Sequence, residues 1–249
     1  MFLAWSNLGL AATPTEIVIA LVLVTLGATL QGSIGFGSSV IAAPLLILIN
    51  PVFVPGVLLG SNFPLTVLIA LREREHIDIR GATVTTLART CGTIPAAYSM
   101  AMMAQPTFDL LFGLCVLCMV ALSASGLAAR PVTRNLIILG VFSGFSATIS
   151  AIGGPPVALL YQNEPANLMR STLSVIFAIG TFVSIVMLAA FGLFTAAHLI
   201  LVLILLPGVV CGYLLSGKLT PHIDARRLRI AVLVVSAASA VMVVARVFA

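Results

Sequence analysis

Apolar residues run along this chain in long blocks and do not alternate with polar ones. The blocks lie at residues 17–49, 52–71, 81–103, 108–128, 135–161, 172–191, 198–217 and 228–247. Six have the length of a single membrane-crossing helix, which needs about 20 apolar residues. The first and fifth are longer, and each is interrupted by a glycine-rich stretch. These stretches are Gln31-Gly32-Ser33-Ile34-Gly35-Phe36-Gly37-Ser38-Ser39 and Ser150-Ala151-Ile152-Gly153-Gly154-Pro155-Pro156. Glycine destabilises a helix through backbone entropy, and proline through its missing N–H. Each long block is therefore expected to be two shorter helices joined at a break. A membrane barrel would instead show polar and apolar residues alternating along each strand.

Composition sharpens this picture. Hydrophobic residues make up 61% of the 249 residues and charged ones only 8%. A soluble domain carries about 25% charged residues, so a water-soluble monomer, a disulfide scaffold and a disordered chain are all excluded. The expected class is an all-α polytopic membrane protein, with residues 1–249 as a single transmembrane domain. Residues 1–15 contain no Lys or Arg. A cleavable signal peptide needs a basic n-region, so the first span is expected to be retained. Cys91, Cys115, Cys118 and Cys211 all lie in apolar blocks and read as small packing residues.

The two breaks expose an internal repeat. Ile34-Gly35 recurs as Ile152-Gly153, and Asn50-Pro51 as Glu164-Pro165. Gly92-x-x-x-Ala96 recurs as Gly208-x-x-x-Gly212, and Pro106-Thr107-Phe108-Asp109 as Pro221-His222-Ile223-Asp224. The matches occur in one order, each roughly 115 positions apart, as a duplication requires. Repeat 1 is expected at about 15–128 and repeat 2 at about 133–248, each with about four long spans plus a broken or re-entrant helix pair.

Positive charges orient the two repeats. A net charge of +5 is of the sign that nucleic-acid binding needs, but the placement of the charges points to membrane topology. If every block crosses once, Lys and Arg divide almost evenly between the two sides. If the first and fifth blocks go in and return, Arg72, Arg74, Arg80, Arg130 and Arg134 share one side. Arg170, Lys218, Arg226, Arg227 and Arg229 join them there. Arg246 alone is opposite, and Arg89 lies inside a span. Only this second arrangement satisfies the positive-inside rule. It places both termini outside and makes the repeats inverted.

Inverted repeats with broken helices are the mark of a secondary transporter. At a break, the new helix begins with unpaired backbone N–H groups and the positive end of its dipole, which favours an anion. Gly35, Gly37, Gly153 and Gly154 would let a ligand approach that backbone, and Pro155 suits a first helical turn. Gln31, Ser33, Ser38, Ser39, Ser150 and Tyr161 supply neutral polar groups nearby, and Asn62 lies mid-span. Close packing of helices in lipid is the competing reading for the small residues, and the preferred one for Gly92-x-x-x-Ala96 and Gly208-x-x-x-Gly212. Arg89 lies inside an apolar block. Facing a substrate or gate and snorkelling toward the charged side both stay open for it. His76, His198 and His222 sit near span ends without a metal-ligand spacing, so no metal, cofactor or catalytic residue is expected.

Ile34-Gly35-Phe36-Gly37 with Pro44-Leu45 resembles one of the duplicated glycine motifs of the sulfite exporter TauE/SafE family, also called the 4-toluene sulfonate uptake permease family. Ala151-Ile152-Gly153-Gly154-Pro155-Pro156-Val157 with Arg170-Ser171-Thr172-Leu173 resembles the other, more specific one. Phe36 and Ser38 stand where the usual GxGGG pattern has glycines. The resemblance implies transport of sulfite, sulfoacetate or sulfonate-like anions across a prokaryotic inner membrane by a multi-pass protein. The expected partners are a small anionic substrate and the lipid bilayer, with no nucleic acid. Coupling to H+ or Na+ and the oligomeric state are left open. A passive anion channel is the alternative. An intramembrane enzyme is a weaker one, because acids and histidines are confined to ends and loops.

Overall fold

The computed structural model describes residues 12–219 and 225–248. Residues 1–11, the repeat match at 221–224 with His222, and the side chains of Lys218, Arg226, Arg227 and Arg229 lie outside that description. The described regular structure is helical. In chain order it comprises α1 (Pro14–Ile34), α2 (Ser38–Ile49), a 3-10 turn (Pro51–Phe53), α3 (Gly56–Arg72), α4 (Ile79–Met102) and α5 (Gln105–Ala124). Then come α6 (Thr133–Ser150), α7 (Gly154–Tyr161), α8 (Ala166–Ala190), α9 (Ala196–Leu219) and α10 (Ala225–Phe248).

Both long blocks break where glycine interrupts them. In the first, α1 ends at Gly35 in the left-handed region (φ 99°), and Gly37 (φ 112°) caps the start of α2. In the second, α6 ends at Ala151, also left-handed (φ 60°), and α7 starts after Gly153. The breaks thus correspond as Gly35 with Ala151 and Gly37 with Gly153, two positions away from the match visible in the sequence. Besides its broken pair, each half contributes three long helices. Among the described residues no fourth long helix stands in either half, because the first block of each half is itself the broken pair.

Among the described residues five spans are long and apolar enough to cross a membrane unaided: Pro14–Ser33, Pro51–Arg72, Gln105–Ala124, Ala166–Ala190 and Ala196–Gly217. Helices α4 and α6 are not among these, because they carry buried polar groups: Thr85, Arg89 and Thr93 on α4, and Ser143, Ser146 and Thr148 on α6. Large apolar side chains face outward, as at Val18, Val22 and Leu26 of α1 and Leu199 and Leu203 of α9. Apolar outside and polar inside suits a lipid solvent, where association rests on packing and interhelical hydrogen bonds. The fold is that of a polytopic membrane protein.

The helices pair across the two halves. Helix α4 packs on α6, and α9 packs on α1; α3 pairs with α8, and α5 with α10. Exchanging the halves maps this set of pairings onto itself. Small residues permit the two closest pairings. A Cβ on Gly92 would meet the Val141 carbonyl and lie 2.9 Å from the Phe145 nitrogen. One on Gly208 would lie 2.8 Å from Thr25 Oγ1, and one on Gly212 2.7 Å from the Ala28 methyl. Both small-x-x-x-small motifs are therefore packing seams.

Side-chain bonds define the two ends of the bundle. At one end Arg72 contacts Glu73 at 3.3 Å, and Arg170 contacts the same carboxylate at 3.5 Å. Arg72 also donates to the Gly32 carbonyl at 3.0 Å, and Arg80 donates to Thr133 at 3.1 Å. Tyr161 donates to Asp78 at 3.0 Å. At the other end Asn50 donates to Glu16 at 3.1 Å, and Arg246 reaches the Leu48 carbonyl at 3.5 Å. Arg72, Arg80 and Arg170 thus gather at one end, with Arg246 opposite. Each long block doubles back. Glu16 and Asn50 close the mouth of the α1–α2 hairpin, and the Ala129 N–H donates to the Leu159 carbonyl at 3.0 Å near the mouth of α6–α7. The first hairpin opens toward the Arg246 end and the second toward the basic end.

Candidate functional site

The tips of the two hairpins meet inside the bundle. A Cβ on Gly154 would lie 3.0 Å from the Phe36 ring, so the breaks are in contact. A cavity of about 40 Å³ lies between them. Gln31, Phe36, Gly37 and Ser39 line it from the first break, and Ile152, Gly153 and Gly154 from the second. Asn62 and Thr66 of α3, Arg89 of α4, and Phe177 and Thr181 of α8 also line it, with apolar contacts from Val40, Leu59, Ala147 and Ala151.

Arg89 is the charge of this site. It is only 2% exposed, which removes the snorkelling reading. Its Nη1 donates to the hydroxyl of Ser143, and its Cζ lies 5.4 Å from the centre of the Phe177 ring. Gly180 makes room for it, since a Cβ there would lie 2.5 Å from Nε. That Nε has no hydrogen-bond partner. Among the described residues both ion pairs, Arg72–Glu73 and Arg170–Glu73, lie at the basic end, and neither includes Arg89. A buried, unpaired guanidinium is costly in lipid, and such a group marks a place where an anion is expected.

Ser143 fixes this arrangement. Its hydroxyl accepts from Arg89 and donates to the Gly153 carbonyl at 2.5 Å, so the cation of α4 is tied to the cap of α7. Gly153 has to be small there. A Cβ would come within 2.7 Å of the Ala147 methyl, 2.8 Å of the Ser143 carbonyl and 2.9 Å of Arg89 Nη1.

The first break is held by neutral groups. Ser38 donates to Gln31 Oε1 through both its hydroxyl (2.5 Å) and its backbone N–H (3.3 Å), which closes the loop between α1 and α2. Asn62 donates to Ser39 Oγ at 2.8 Å and joins α3 to the start of α2.

Of the residues singled out in the sequence, Gln31, Gly37, Ser39, Asn62, Arg89, Gly153 and Gly154 come together on one cavity. The others take supporting positions. Ser33 donates to the Thr29 carbonyl at 2.9 Å within its own helix. Gly35 caps α1 against the Arg170 side chain, 3.0 Å from where its Cβ would be. Ser38 supports Gln31 from behind. Ser150 donates to the Ser146 carbonyl at 2.8 Å, and Pro155 is buried in the first turn of α7. Tyr161 bonds Asp78 at the basic end, away from the cavity. Phe36, Thr66, Phe177 and Thr181 line the cavity without having been singled out. Phe177 and Thr181 lie one turn apart on α8, and only the fold shows that α8 faces the breaks. Ser143 was missed because nothing in the local sequence ties it to Arg89, 54 positions earlier.

Comparison with known proteins agrees with this architecture. Searches of curated proteins and of solved structures give no significant match. A protein-family profile does match, over residues 19–243, and its description is Sulfite exporter TauE/SafE. The match covers both broken pairs and every long helix between them, so the chain belongs to the TauE/SafE sulfite exporter family of membrane transporters.

Proposed function

We propose that the protein is a secondary transporter that moves a small sulfur oxyanion or short organosulfur anion, of the sulfite or sulfoacetate type, by alternating access. The observation that carries this reading is Arg89, buried and without an acidic partner, on a cavity where two half-helix starts converge. A cavity of about 40 Å³ suits a small oxyanion, since one water needs about 10–15 Å³ on the same measure. An aromatic sulfonate would require the walls to part. The substrate is held by Arg89, by the polar groups of Gln31, Ser39 and Asn62, and by the Ser39 backbone N–H at the start of α2.

The two halves, about 15–128 and 133–248, act as inverted repeats that exchange roles. Their hairpins open to opposite ends, and their pairings are conserved under exchange. The contacts of Arg72 with the Gly32 carbonyl, of Arg170 with Glu73 and of Tyr161 with Asp78 join α1 to α3, α8 to α3, and α7 to the start of α4 at the basic end. Opening that end separates them. The positive-inside rule makes it the cytoplasmic end of an inner-membrane protein.

The test is flux of radiolabelled sulfite and sulfoacetate in proteoliposomes of the purified protein. Saturable uptake that Arg89→Gln abolishes is the expected result. Uptake that rises linearly with substrate and shows no counterflow would make the protein a channel. Flux equal to that of protein-free vesicles would remove the reading altogether.

A further inference from the structure

We infer that the protein works as an anion exchanger, in which the carrier crosses readily when loaded and slowly when empty. This rests on the proposed site, and its basis is the electrostatics of Arg89. Alternating access requires a moment when the cavity is sealed at both ends. The cavity in the present structure has about 40 Å³, room for roughly three water molecules at about 10–15 Å³ each. Three waters cannot replace the hydration shell of a guanidinium. The protein supplies only partial compensation, through the Ser143 hydroxyl on Nη1 and the Phe177 ring, and Nε has no partner. Among the described residues no carboxylate and no histidine lines the cavity. An empty, sealed carrier therefore holds an uncompensated charge at low dielectric.

A bound monoanion changes that balance. It occupies the space of the waters, neutralises the guanidinium and gives Nε an acceptor. The loaded carrier is then neutral at its centre, and a neutral centre costs far less to seal than a charged one. The empty return becomes the slow step of net transport, and an anion on the far side removes it by riding back. Arg89 thus does two things: it binds the substrate, and it penalises the crossing made without one.

The experiment uses proteoliposomes of the full-length protein, loaded with radiolabelled sulfite, with the membrane potential clamped at zero by potassium and valinomycin. Efflux is followed at mildly acidic pH, where sulfite is chiefly the hydrogen sulfite monoanion, into gluconate buffer alone and into gluconate buffer containing unlabelled sulfite, and the pair is repeated with methanesulfonate, also a monoanion. External substrate is expected to accelerate efflux at least about tenfold, equivalent to about 1.4 kcal/mol in the barrier. Arg89→Lys keeps the charge and should keep that acceleration while raising the apparent KM. Efflux that is saturable and lost in Arg89→Gln, yet equal in the two buffers, would overturn the inference and leave the site standing. Acceleration lost in Arg89→Lys while flux persists would also overturn it. No Arg89-dependent efflux of either anion would overturn both the inference and the site. Size-exclusion profiles and melting temperatures of each variant separate misfolding from loss of function.

Discussion

At the first break the new half-helix begins Ser38-Ser39-Val40, and every one of these residues has a backbone N–H. At the second it begins Gly154-Pro155-Pro156, and two of these three have none. Both breaks have a left-handed residue ending one helix and a glycine capping the next, but Gly37 is left-handed (φ 112°) and Gly153 is not (φ -122°). The chemistry is therefore shared unequally. The first break offers neutral side chains and the Ser39 amide, those of Ser38 and Val40 already donating to Gln31 and to the Gly37 carbonyl, whereas the second offers little from its own backbone and borrows the guanidinium of α4 through Ser143. Pseudo-symmetry of fold does not require symmetry of charge. A pair of matching arginines around 40 Å³ would repel each other, so one cation is what a small cavity for a monoanion can hold.

If this division is right, the largest loss comes from the charge itself. Arg89→Gln should lower substrate affinity by ~100-fold or more, since removing one partner of a buried ion pair costs about 3–5 kcal/mol. Isothermal titration with sulfite reads this directly, and unchanged affinity would place the anion elsewhere. Next comes the second cap. Gly153→Leu would push into Ala147, the Ser143 carbonyl and the Arg89 head group, and transport should fall more than about tenfold, as overpacking of a close approach predicts. Retained flux in this variant would mean that the second break does not shape the site.

Smaller effects separate positioning from binding. Ser143→Ala leaves Arg89 free to turn and the Gly153 carbonyl unpaired, and apparent KM should rise about tenfold with Vmax less affected. Ser143→Thr should restore it. On the Arg89→Gln background Ser143→Ala should add little, and additive losses would deny Ser143 a role through Arg89. At the first break, Gln31→Leu should cost about fivefold in KM, as for one neutral hydrogen bond worth ~1 kcal/mol. A loss as great as that of Arg89→Gln would erase the contrast between the breaks. The smallest expected change is a gain. Ala151 holds a left-handed conformation (φ 60°) that suits glycine, so Ala151→Gly should raise stability by up to ~1 kcal/mol, visible as a higher melting temperature in detergent.

Much of this could be read from the chain, and the reasons are local. A helix crossing lipid must satisfy its own backbone, so apolar length announces it. Gly35, Gly37, Gly153 and Gly154 announce the breaks because few other residues tolerate such turns and contacts. The clustering of Arg72, Arg80, Arg130 and Arg170 revealed that the long blocks double back, because charge sidedness constrains topology without any knowledge of packing. Legibility failed where two residues distant in sequence had to meet. Ser33, Ser38 and Ser150 were as plausible as Ser39, yet helix phase turned them onto their own backbones or behind Gln31. Tyr161 lies one short helix beyond the break, and eight residues of α7, about 12 Å at 1.5 Å per residue, carry it to the basic end.

The sequence by itself determined that this chain lives in a membrane, that it is built from helices interrupted twice, and that Arg72, Arg80 and Arg170 share one end while Arg246 lies at the other. Those properties follow from composition and backbone chemistry, which act wherever a residue happens to sit. Only the tertiary structure decided that Arg89 turns inward. Its direction depends on Gly153 and Gly180 of two other segments, which leave a hollow for the guanidinium, and on Gly144, which lets α6 approach the Arg89 backbone. No local pattern around Arg89 encodes that hollow. It exists because α4 packs on α6 from the other half, so the charge and the break it serves become neighbours only when the chain is folded.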